Sequence, residues 1–148
     1  MFFLPQKSAH ILKSACALVT LTGLFSISYS THAHHAFSAE FDAQKPVELS
    51  GTVTQARWVN PHSWVYIDVK DASGNITNWG FEFGAPFSLK QKGLTKTTLP
   101  VGAEIKLKGY RAKSGENYAY STSIVLANGQ VFQTGGAQDA PEPPRAAQ

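Results

Sequence analysis

The feature that most constrains the fold of this chain is an apolar residue at every second position of several short segments. One series is Val47, Leu49, Gly51 and Val53, and the next is Val65, Ile67 and Val69. A period of two places all the apolar side chains on one face of an extended strand. The chain is therefore predicted to be β-rich, and Gly51 suggests a bulge or a sharp coil in the first strand.

The order of the predicted elements limits the number of possible folds. After a third strand, Pro86 and Gly93 predict one short helix over residues 86–92. Two more strands follow, with a hairpin at Asn128-Gly129. Three strands, a helix and two strands is the order of the barrel called the OB-fold. We expect an all-β, OB-fold-like barrel of about five or six strands with one short helix over residues 47–134. An open antiparallel sheet packed on one helix is the alternative.

Residues 1–33 have the pattern of a secretory signal peptide. Lys7 and Lys13 accompany an uncharged apolar stretch, ACALVTLTGLFSI, which is shorter than the roughly 20 residues that a membrane span needs. Cleavage after Ala33 leaves a small residue at the −1 position and makes His34 the first residue of the mature chain. We expect the protein to be periplasmic or secreted, with no membrane span after cleavage. An uncleaved membrane anchor is the less favoured alternative.

The composition excludes several classes of function. The single cysteine, Cys16, lies in the predicted signal peptide, so the mature chain has no disulfide, thiolate metal site or cysteine nucleophile. The excess of 13 basic over 10 acidic residues falls from three to one without Lys7 and Lys13, whereas binding to nucleic acid needs clustered positive charge. The sequence has no nucleophile elbow, phosphate loop or zinc-helix motif. We therefore expect neither an enzyme nor a nucleic-acid-binding protein.

Two segments are predicted to lie outside the barrel. Residues 34–46 form an N-terminal arm in which Phe37 and Phe41 are the apolar anchors. Residues 135–148, GGAQDAPEPPRAAQ, are rich in Gly, Pro and Ala and have no apolar periodicity. This composition predicts a disordered tail.

The predicted mature chain contains three histidines, His34, His35 and His62. Signal cleavage gives His34 a free α-amine, which can chelate a metal ion together with the Nδ1 atom of the same residue. His62 lies in the first loop between strands, at the rim where an OB-fold binds ligands, and can supply a third nitrogen. Such a nitrogen set suits Cu(II), with Zn(II) less favoured, and Glu40 or Asp42 could add an oxygen or a supporting hydrogen bond.

Each candidate ligand also has a simpler interpretation. His34 and His35 can be incidental polar residues on a frayed chain end. His62, which follows Asn60 and Pro61, can be a turn residue whose imidazole bonds to a nearby carbonyl. Both interpretations remain open from the sequence.

The aromatic residues Trp58, Trp64 and Tyr66 form a second candidate site. Trp64 and Tyr66 alternate with the apolar face of the second strand, so they are expected to point out of the barrel near Trp58. Because exposed aromatic rings stack on sugars or bases, the alternative function is a binding or assembly module for a glycan, a peptide or a partner protein. We favour the interpretation that Phe37 and Phe41 of the arm cover these rings.

Three stretches of the sequence are characteristic in combination: HHAFSAEFDAQKPVELSGTV, WVNPHSWVYIDVKDASG and NWGFEFGAP. Together they resemble a family of small exported bacterial proteins known only as a domain of unknown function. The resemblance covers about residues 34–132, and its most specific parts are the HHAF start and the NPH-x-W loop. It implies export and a small β-rich domain, and it implies no catalytic or binding residues.

Overall fold

A ring of hydrogen-bonded strands is the centre of the fold. The computed structural model describes residues 37–141, all within the second of the two units, 1–33 and 34–148, into which the chain divides. In chain order the elements are α1 (Phe37–Glu40), β1 (Phe41–Arg57), β2 (Trp64–Lys70), β3 (Ile76–Glu82), α2 (Pro86–Gln91), β4 (Glu104–Ala112), β5 (Tyr118–Leu126) and β6 (Val131–Gln133). No helix within residues 37–141 is long and apolar enough to cross a membrane.

The six strands form one sheet in the order β3-β2-β1-β4-β5-β6. Neighbours in this order are antiparallel, and β3 also pairs in parallel with β5, where Phe81 lies opposite Ala119. This parallel pairing closes the hydrogen bonds into a ring. The predictions of a β-rich fold, of five or six strands and of a short helix after the third strand are therefore confirmed, while the single turn α1 is not predicted by the sequence.

Strand β1 is long because it pairs with two other strands. Its first part pairs with β4 and its last part with β2, and Thr52 has a partner in both strands. Gly51 lies beside this changeover, where any side chain would collide with the Asp68 carbonyl of β2. Glycine thus permits the close approach of the two strands. The bulge suggested at Gly51 lies slightly later, between Val53 and Gln55, and it bends β1 from one partner towards the other.

Helix α2 begins and ends where the sequence predicts. Pro86 occupies the start of the helix, where a missing N–H costs no hydrogen bond, and Gly93 has a positive φ of 86° just beyond the end. The helix ends at Gln91, one residue before the end of the predicted range 86–92. Leu89 of the helix and Leu94 after it are fully buried, so this segment contributes to the core.

Two tight turns also follow the sequence. Between β2 and β3, the Asp71 carboxylate accepts hydrogen bonds from the N–H groups of Ser73 and Asn75. Between β5 and β6, Gly129 has a positive φ of 82° directly after Asn128, as the predicted hairpin requires. Both turns therefore set the register of the strands that they join.

The inner core fills the ring. Val53, Ile67 and Leu107, which are predicted to face inward, are each no more than 1% exposed. Val47, Leu49 and Val69, predicted to lie on the same face, are partly buried and pack against this core. The buried members of the inner core are Val53, Val65, Ile67, Phe81, Phe83, Leu89, Leu94, Leu99, Ile105, Leu107, Ala119, Ile124 and Phe132.

A second apolar group, the outer cluster, lies on the opposite face of β5. Phe81 and Ala119 form a cross-strand pair that faces the inner core, so the next pair, Glu82 and Tyr120, faces away from it. The buried members of the outer cluster are Phe37, Phe41, Ala112 and Tyr120, with Tyr110, Tyr118, Ala137 and Ala140 packed against them. The cluster thus joins the two ends of the described chain.

The structure moves the boundary of the predicted arm, 34–46. Phe41 and Pro46 lie opposite Ala112 and Tyr110 of β4, so the stretch from Phe41 onward belongs to β1. The sequence FDAQKP has no apolar alternation, which is why the period of two does not reveal this part of the strand.

The structure also differs from the prediction of a disordered tail over residues 135–148. Residues 135–141 are attached to the domain, because Gly136 and Ala137 donate backbone hydrogen bonds to the Tyr120 hydroxyl. Composition gave no sign of these long-range bonds. The remainder, 142–148, lies outside the described residues.

Candidate functional site

His62 lies in the loop between β1 and β2, at the edge of the ring. The loop is anchored just after His62, because Ser63 exchanges backbone hydrogen bonds with Phe83 and Gly84 beyond the end of β3. The imidazole Nδ1 of His62 is 2.5 Å from Oε1 of Glu82. His62 is therefore a positioned residue on a fixed backbone, with one ring nitrogen engaged by a carboxyl group.

Glu82 is a carboxyl group placed in an apolar environment. It is only 7% exposed, and it shares the outward face with Trp64 of β2 and Tyr120 of β5, which are its cross-strand partners. Burial, and to a smaller extent the nearby Glu40 carboxylate, raises the pKa of Glu82 to about 7. The contact with Glu82 engages Nδ1 of His62. Nε2 is the second nitrogen of the imidazole ring.

The N-terminal histidines closely precede Phe37, a residue that packs near Glu82. Phe37 stacks edge-to-face on Tyr120, with ring centroids 5.2 Å apart, and Tyr120 is the cross-strand neighbour of Glu82. His34 and His35 lie outside the described residues. The chain can carry His35 no farther than about 7 Å and His34 about 10 Å from the Phe37 Cα atom.

The described residues do not by themselves form a metal site. No group of three or more His, Cys, Asp or Glu residues within 37–141 is placed to hold a metal ion. Asp42, a predicted oxygen donor, instead accepts a hydrogen bond from Gln44 and pairs with Lys45. The hydrogen bond from the Gln44 N–H lowers the pKa of Asp42, so this carboxylate has partners of its own near the start of β1.

Trp64 and Tyr66 lie together, as the sequence predicts. Their ring centroids are 6.3 Å apart and their planes are 23° from parallel, and the Tyr118 ring lies 6.1 Å from the Trp64 ring with a tilt of 55°. These rings form one side of the aromatic groove, a surface depression of about 290 Å³. The groove is lined by Glu40, Trp64, Tyr66, Asn78, Gly80, Asn117 and Tyr118.

Gly80 lies between the aromatic rings of the groove. It is the cross-strand partner of both Tyr66 and Tyr118, and a Cβ atom there would come within 3.2 Å of the Tyr66 ring. The absence of a side chain therefore leaves the ring faces uncovered at this point. Asn78, at one side of the groove, is held by a hydrogen bond from its amide to the Asp68 carboxylate, 2.8 Å long.

Trp58, the third predicted aromatic residue, lies elsewhere. It packs partly against the inner core and lines a separate cavity of about 290 Å³ beside α2, together with Pro86 and Leu94. The structure thus brings Trp64 and Tyr66 into one groove and places Trp58 in another.

The interpretation that the arm covers Trp64 and Tyr66 is wrong. Phe37 and Phe41 are buried as anchors, but within residues 37–141 their ring contacts go to each other and to the tyrosines of the outer cluster. Tyr118 stands between the two groups, touching both Phe41 and Trp64. The rings of Phe37 and Phe41 therefore do not cover the groove, whereas Glu40, which lies between them in the chain, lines it.

Sequence reasoning missed three important residues. Glu82 is in the polar half of an alternating strand, and nothing local indicates that its carboxyl group is buried. Tyr120 and Asp139 matter through contacts with residues far away in the chain. The alternation in YAYS is the one local signal for Tyr120, since it places that ring on the face opposite Ala119.

Comparison with known protein families identifies the family of this chain. No curated protein matches the chain. A family model, DUF6152, matches residues 21–121, which is more than half of the sequence. This agrees with the resemblance carried by the HHAF and NPH-x-W motifs. The chain belongs to DUF6152, a family of unknown function.

Proposed function

We propose that this protein is exported and binds one Cu(II) ion through its processed N-terminus. The ligands are the α-amine and imidazole of His34 together with the imidazole of His62, and His35 is the competing third ligand. The observation that carries the proposal is the bond between His62 and the buried Glu82, close to the place where Phe37 fixes the N-terminal chain. Zn(II) is the less favoured metal.

The His62–Glu82 pair supports a ligand role. Histidines that bind metals usually bond their other ring nitrogen to a carboxylate or a carbonyl, which fixes the ring and makes it more basic. Here Nδ1 is bonded to Glu82, so Nε2 is the nitrogen that would bind the metal. The predicted mature chain has neither cysteine nor methionine, because Cys16 and Met1 both lie in the predicted signal peptide. Its nitrogen donors therefore favour Cu(II) over Cu(I).

The anchoring of Phe37 supports the meeting of the ligands. Phe37 is 3% exposed, so the residues before it start from a fixed point rather than from a frayed end. Phe37 contacts Tyr120, the cross-strand partner of Glu82, and the reach of about 10 Å from Phe37 back to His34 equals about two spacings between neighbouring strands. Non-enzymatic binding remains our prediction, because the proposed site assigns no reacting group.

We also propose that the ring is an OB-type barrel. Its strand order, its parallel pairing of β3 with β5 and the position of α2 between β3 and β4 support this assignment. In that fold the face of β2 and β3 and the loops after β1 and β4 bind ligands. His62 belongs to the first of these loops, and the aromatic groove lies on that face.

The metal proposal is tested by Cu(II) titration of the protein that begins at His34. A second form carries an acetyl group on the His34 α-amine, which turns the amine into an amide and leaves every side chain unchanged. We expect acetylation to weaken binding by at least about 100-fold, since it removes a ligand. Equal affinities of the two forms would falsify the proposal.

Single substitutions then assign the remaining ligands. His62→Ala should weaken Cu(II) binding strongly, whereas a large loss in His35→Ala alone would assign the third nitrogen to His35. Glu82→Gln keeps a hydrogen-bonding group beside His62 and should weaken binding by about 10- to 100-fold. Amino-terminal sequencing of exported protein checks the start at His34, and a start at Phe37 would exclude the chelate.

The aromatic groove favours a second function, the binding of a glycan. Two nearly parallel rings, Trp64 and Tyr66, line the groove and offer apolar ring surface to the C–H face of a sugar ring. Glu40, Asn78 and Asn117 at its sides offer hydrogen-bonding groups for hydroxyls. This combination suits a sugar better than an apolar peptide or a partner protein.

The groove is tested by titration with cellohexaose and chitohexaose. Trp64→Ala should weaken binding by up to about tenfold. Trp58→Ala, a tryptophan outside the groove, is the matched control and should leave binding unchanged. If neither sugar binds the wild-type protein, the glycan assignment is rejected and a peptide or partner protein replaces it.

A further inference from the structure

A small cavity lies beside α2 and shares no lining residue with the aromatic groove. This α2 cavity has a volume of about 290 Å³ and is lined by Trp58, Pro86, Lys90, Leu94 and residues 95–97. Its wall is almost entirely apolar, since a lysine side chain can cover apolar surface with its stem while its ammonium group stays in water. The cavity can therefore remove apolar ligand surface from water.

The backbone around the α2 cavity is held in place. Leu94 is fully buried, and its N–H group donates to the Leu89 carbonyl of α2 at 3.0 Å. The Thr95 N–H donates to the Thr98 hydroxyl at 2.7 Å, and the hydroxyls of Thr95 and Thr97 bond to each other at 2.8 Å. The cavity is thus preformed and the threonine hydroxyls in its wall already have partners. The lysine ammonium groups are the groups that can bind a polar part of a ligand.

The charge around the α2 cavity has one sign. Residues 83–103 contain three lysines and no acidic residue. Lys90 and Lys96 line the cavity and are exposed. Among the ion pairs that the described residues form, none involves either of these lysines. Because a cleft with apolar walls and charges of one sign concentrates its electric field, the α2 cavity attracts an anion.

We propose that the α2 cavity binds an aromatic monocarboxylate. Its ring system packs against Trp58, Pro86 and Leu94, and its carboxylate lies beside Lys90 and Lys96. An uncharged apolar molecule would gain nothing from the lysines, and inorganic phosphate would bury none of the apolar wall, so an amphipathic anion is the class that uses both features. Trp58 favours an aromatic body over an acyl chain, since paired aromatic rings attract each other beyond their burial.

The volume of the α2 cavity sets the size of this ligand. An engineered protein cavity of about 150 Å³ holds benzene. The α2 cavity, at about 290 Å³, has about twice that volume and accommodates a body of about two fused rings. The compound 2-naphthoate has such a body and one carboxylate, and it is the probe that matches the proposed class.

The test is a titration of the protein that begins at His34, without metal, at about pH 7, where the carboxylate and the lysines are charged. The matched ligand is 2-naphthalenemethanol, which has the same rings and no charge. Decanoate, a carboxylate with an acyl chain, separates the aromatic from the aliphatic source. Calorimetry gives the affinities, and nuclear magnetic resonance gives the place of binding through the indole N–H signals of Trp58, Trp64 and Trp79.

We expect 2-naphthoate to bind more tightly than 2-naphthalenemethanol by about 2- to 25-fold, because each of two exposed ion pairs changes the affinity by about 1.5- to 5-fold. Decanoate should bind more weakly than 2-naphthoate by about 2- to 10-fold. The indole signal of Trp58 should shift on binding, whereas the signals of Trp64 and Trp79 should not.

Substitutions separate the charge from the apolar wall. The double variant Lys90→Gln/Lys96→Gln should weaken 2-naphthoate binding to the level of the alcohol and leave binding of the alcohol unchanged. Lys92→Gln is the matched control, since Lys92 is an exposed lysine of the same segment that does not line the cavity, and it should keep the wild-type preference. Trp58→Ala should weaken both ligands by about tenfold. The lysine variants change only exposed side chains, so they decide the question even if Trp58→Ala does not fold.

Several results would overturn the proposal. A ligand of this size with ordinary efficiency binds at about 1 mM or tighter, so no binding of 2-naphthoate at that concentration would reject the site. Equal affinities for 2-naphthoate and its alcohol would reject the ion pairs, and tighter binding of decanoate would reject the aromatic body. A shift of the Trp64 signal alone would assign the binding to the aromatic groove. Because the titrations contain no metal, the Cu(II) function can fail while this site stands.

Discussion

The inner core and the outer cluster of this domain are built in different ways. The inner core uses aliphatic and phenylalanine side chains from consecutive strands, and its members recur at every second position. The outer cluster joins α1, the last residues of β4, the start of β5 and the segment after β6, with tyrosines as its largest rings. The inner core is therefore specified by a local sequence pattern, and the outer cluster by contacts between the two ends of the described chain.

This difference separates stability from the proposed function. The ring of strands closes without help from α1 or residues 135–141, because β3 and β5 pair directly. The proposed metal ligands, in contrast, depend on α1 and on what holds it. We therefore expect the outer cluster to open locally while the ring stays folded, since regions with fewer buried contacts open at lower free energy.

The largest expected effect is in the inner core. Leu107 is fully buried, and Leu107→Ala should lower the free energy of unfolding by about 2–5 kcal/mol. The neighbouring Lys106→Ala, which removes an exposed ion pair with Glu48, should cost less than about 1 kcal/mol. Denaturant unfolding measures both, and equal effects would contradict the assignment of the core.

Phe37→Ala in the outer cluster should cost less than Leu107→Ala, although Phe37 is only 3% exposed. A buried phenylalanine can contribute about 3–5 kcal/mol, but the loss cannot exceed the free energy that docks α1 on the ring. We expect about 1–2 kcal/mol by denaturant unfolding, with fast amide exchange confined to the outer cluster.

Phe37→Leu, which keeps an apolar group at the site, is the control for this comparison and should lie between the wild type and Phe37→Ala. A loss as large as that of Leu107→Ala, with exchange raised throughout the ring, would mean that the inner core and the outer cluster unfold as one unit. The separation of stability from function would then be wrong.

The same contrast explains how much the sequence predicts. Alternation identified the strands, Pro86 and Gly93 located α2, and Asn128-Gly129 located the last turn, because each depends on neighbours in the chain. The sequence also predicted that Trp64 and Tyr66 lie on one face of β2, where their rings contact each other, whereas the role of His62 as a ligand stays a prediction.

What the sequence misses arises from tertiary contacts alone. Burial of the Glu82 carboxyl group needs β3, β5 and α1 to meet, and strand alternation alone assigns that position to solvent. Residues 135–141 have the composition of a disordered segment, yet Asp139 and the Tyr120 hydroxyl hold them. A few hydrogen bonds across about a hundred residues leave no periodic signal in a sequence.

A smaller effect is expected at the hydroxyl group of Tyr120. Tyr120→Phe keeps the ring in the outer cluster and removes the acceptor of the Gly136 and Ala137 N–H groups. We expect a loss of about 0.5–1.5 kcal/mol in the free energy of unfolding, with faster exchange at Gly136 and Ala137. Unchanged exchange there would show that packing of Ala137, rather than the hydroxyl group, holds the segment.

The smallest effect is a local response to acid at Asp139. Hydrogen bonds from the N–H groups of Ser38 and then Phe37 lower the pKa of Asp139 below its ordinary value of 3.8. A carboxyl group with a lowered pKa in the folded state stabilises that state above its ordinary pKa, and this contribution is lost as the pH falls through the lowered value. The hydrogen bonds from the Phe37 and Ser38 N–H groups to Asp139 should therefore persist from about pH 7 down to about pH 5 and weaken below about pH 4. Amide exchange, corrected for the intrinsic dependence on pH, should report the change at Phe37 and Ser38 while Leu107 in the inner core remains protected.

Asp139→Asn, which cannot titrate, should lack this step and should exchange faster at every pH. If Leu107 loses protection together with Phe37, acid unfolds the domain as a whole, and the distinction between the two regions does not extend to their response to pH.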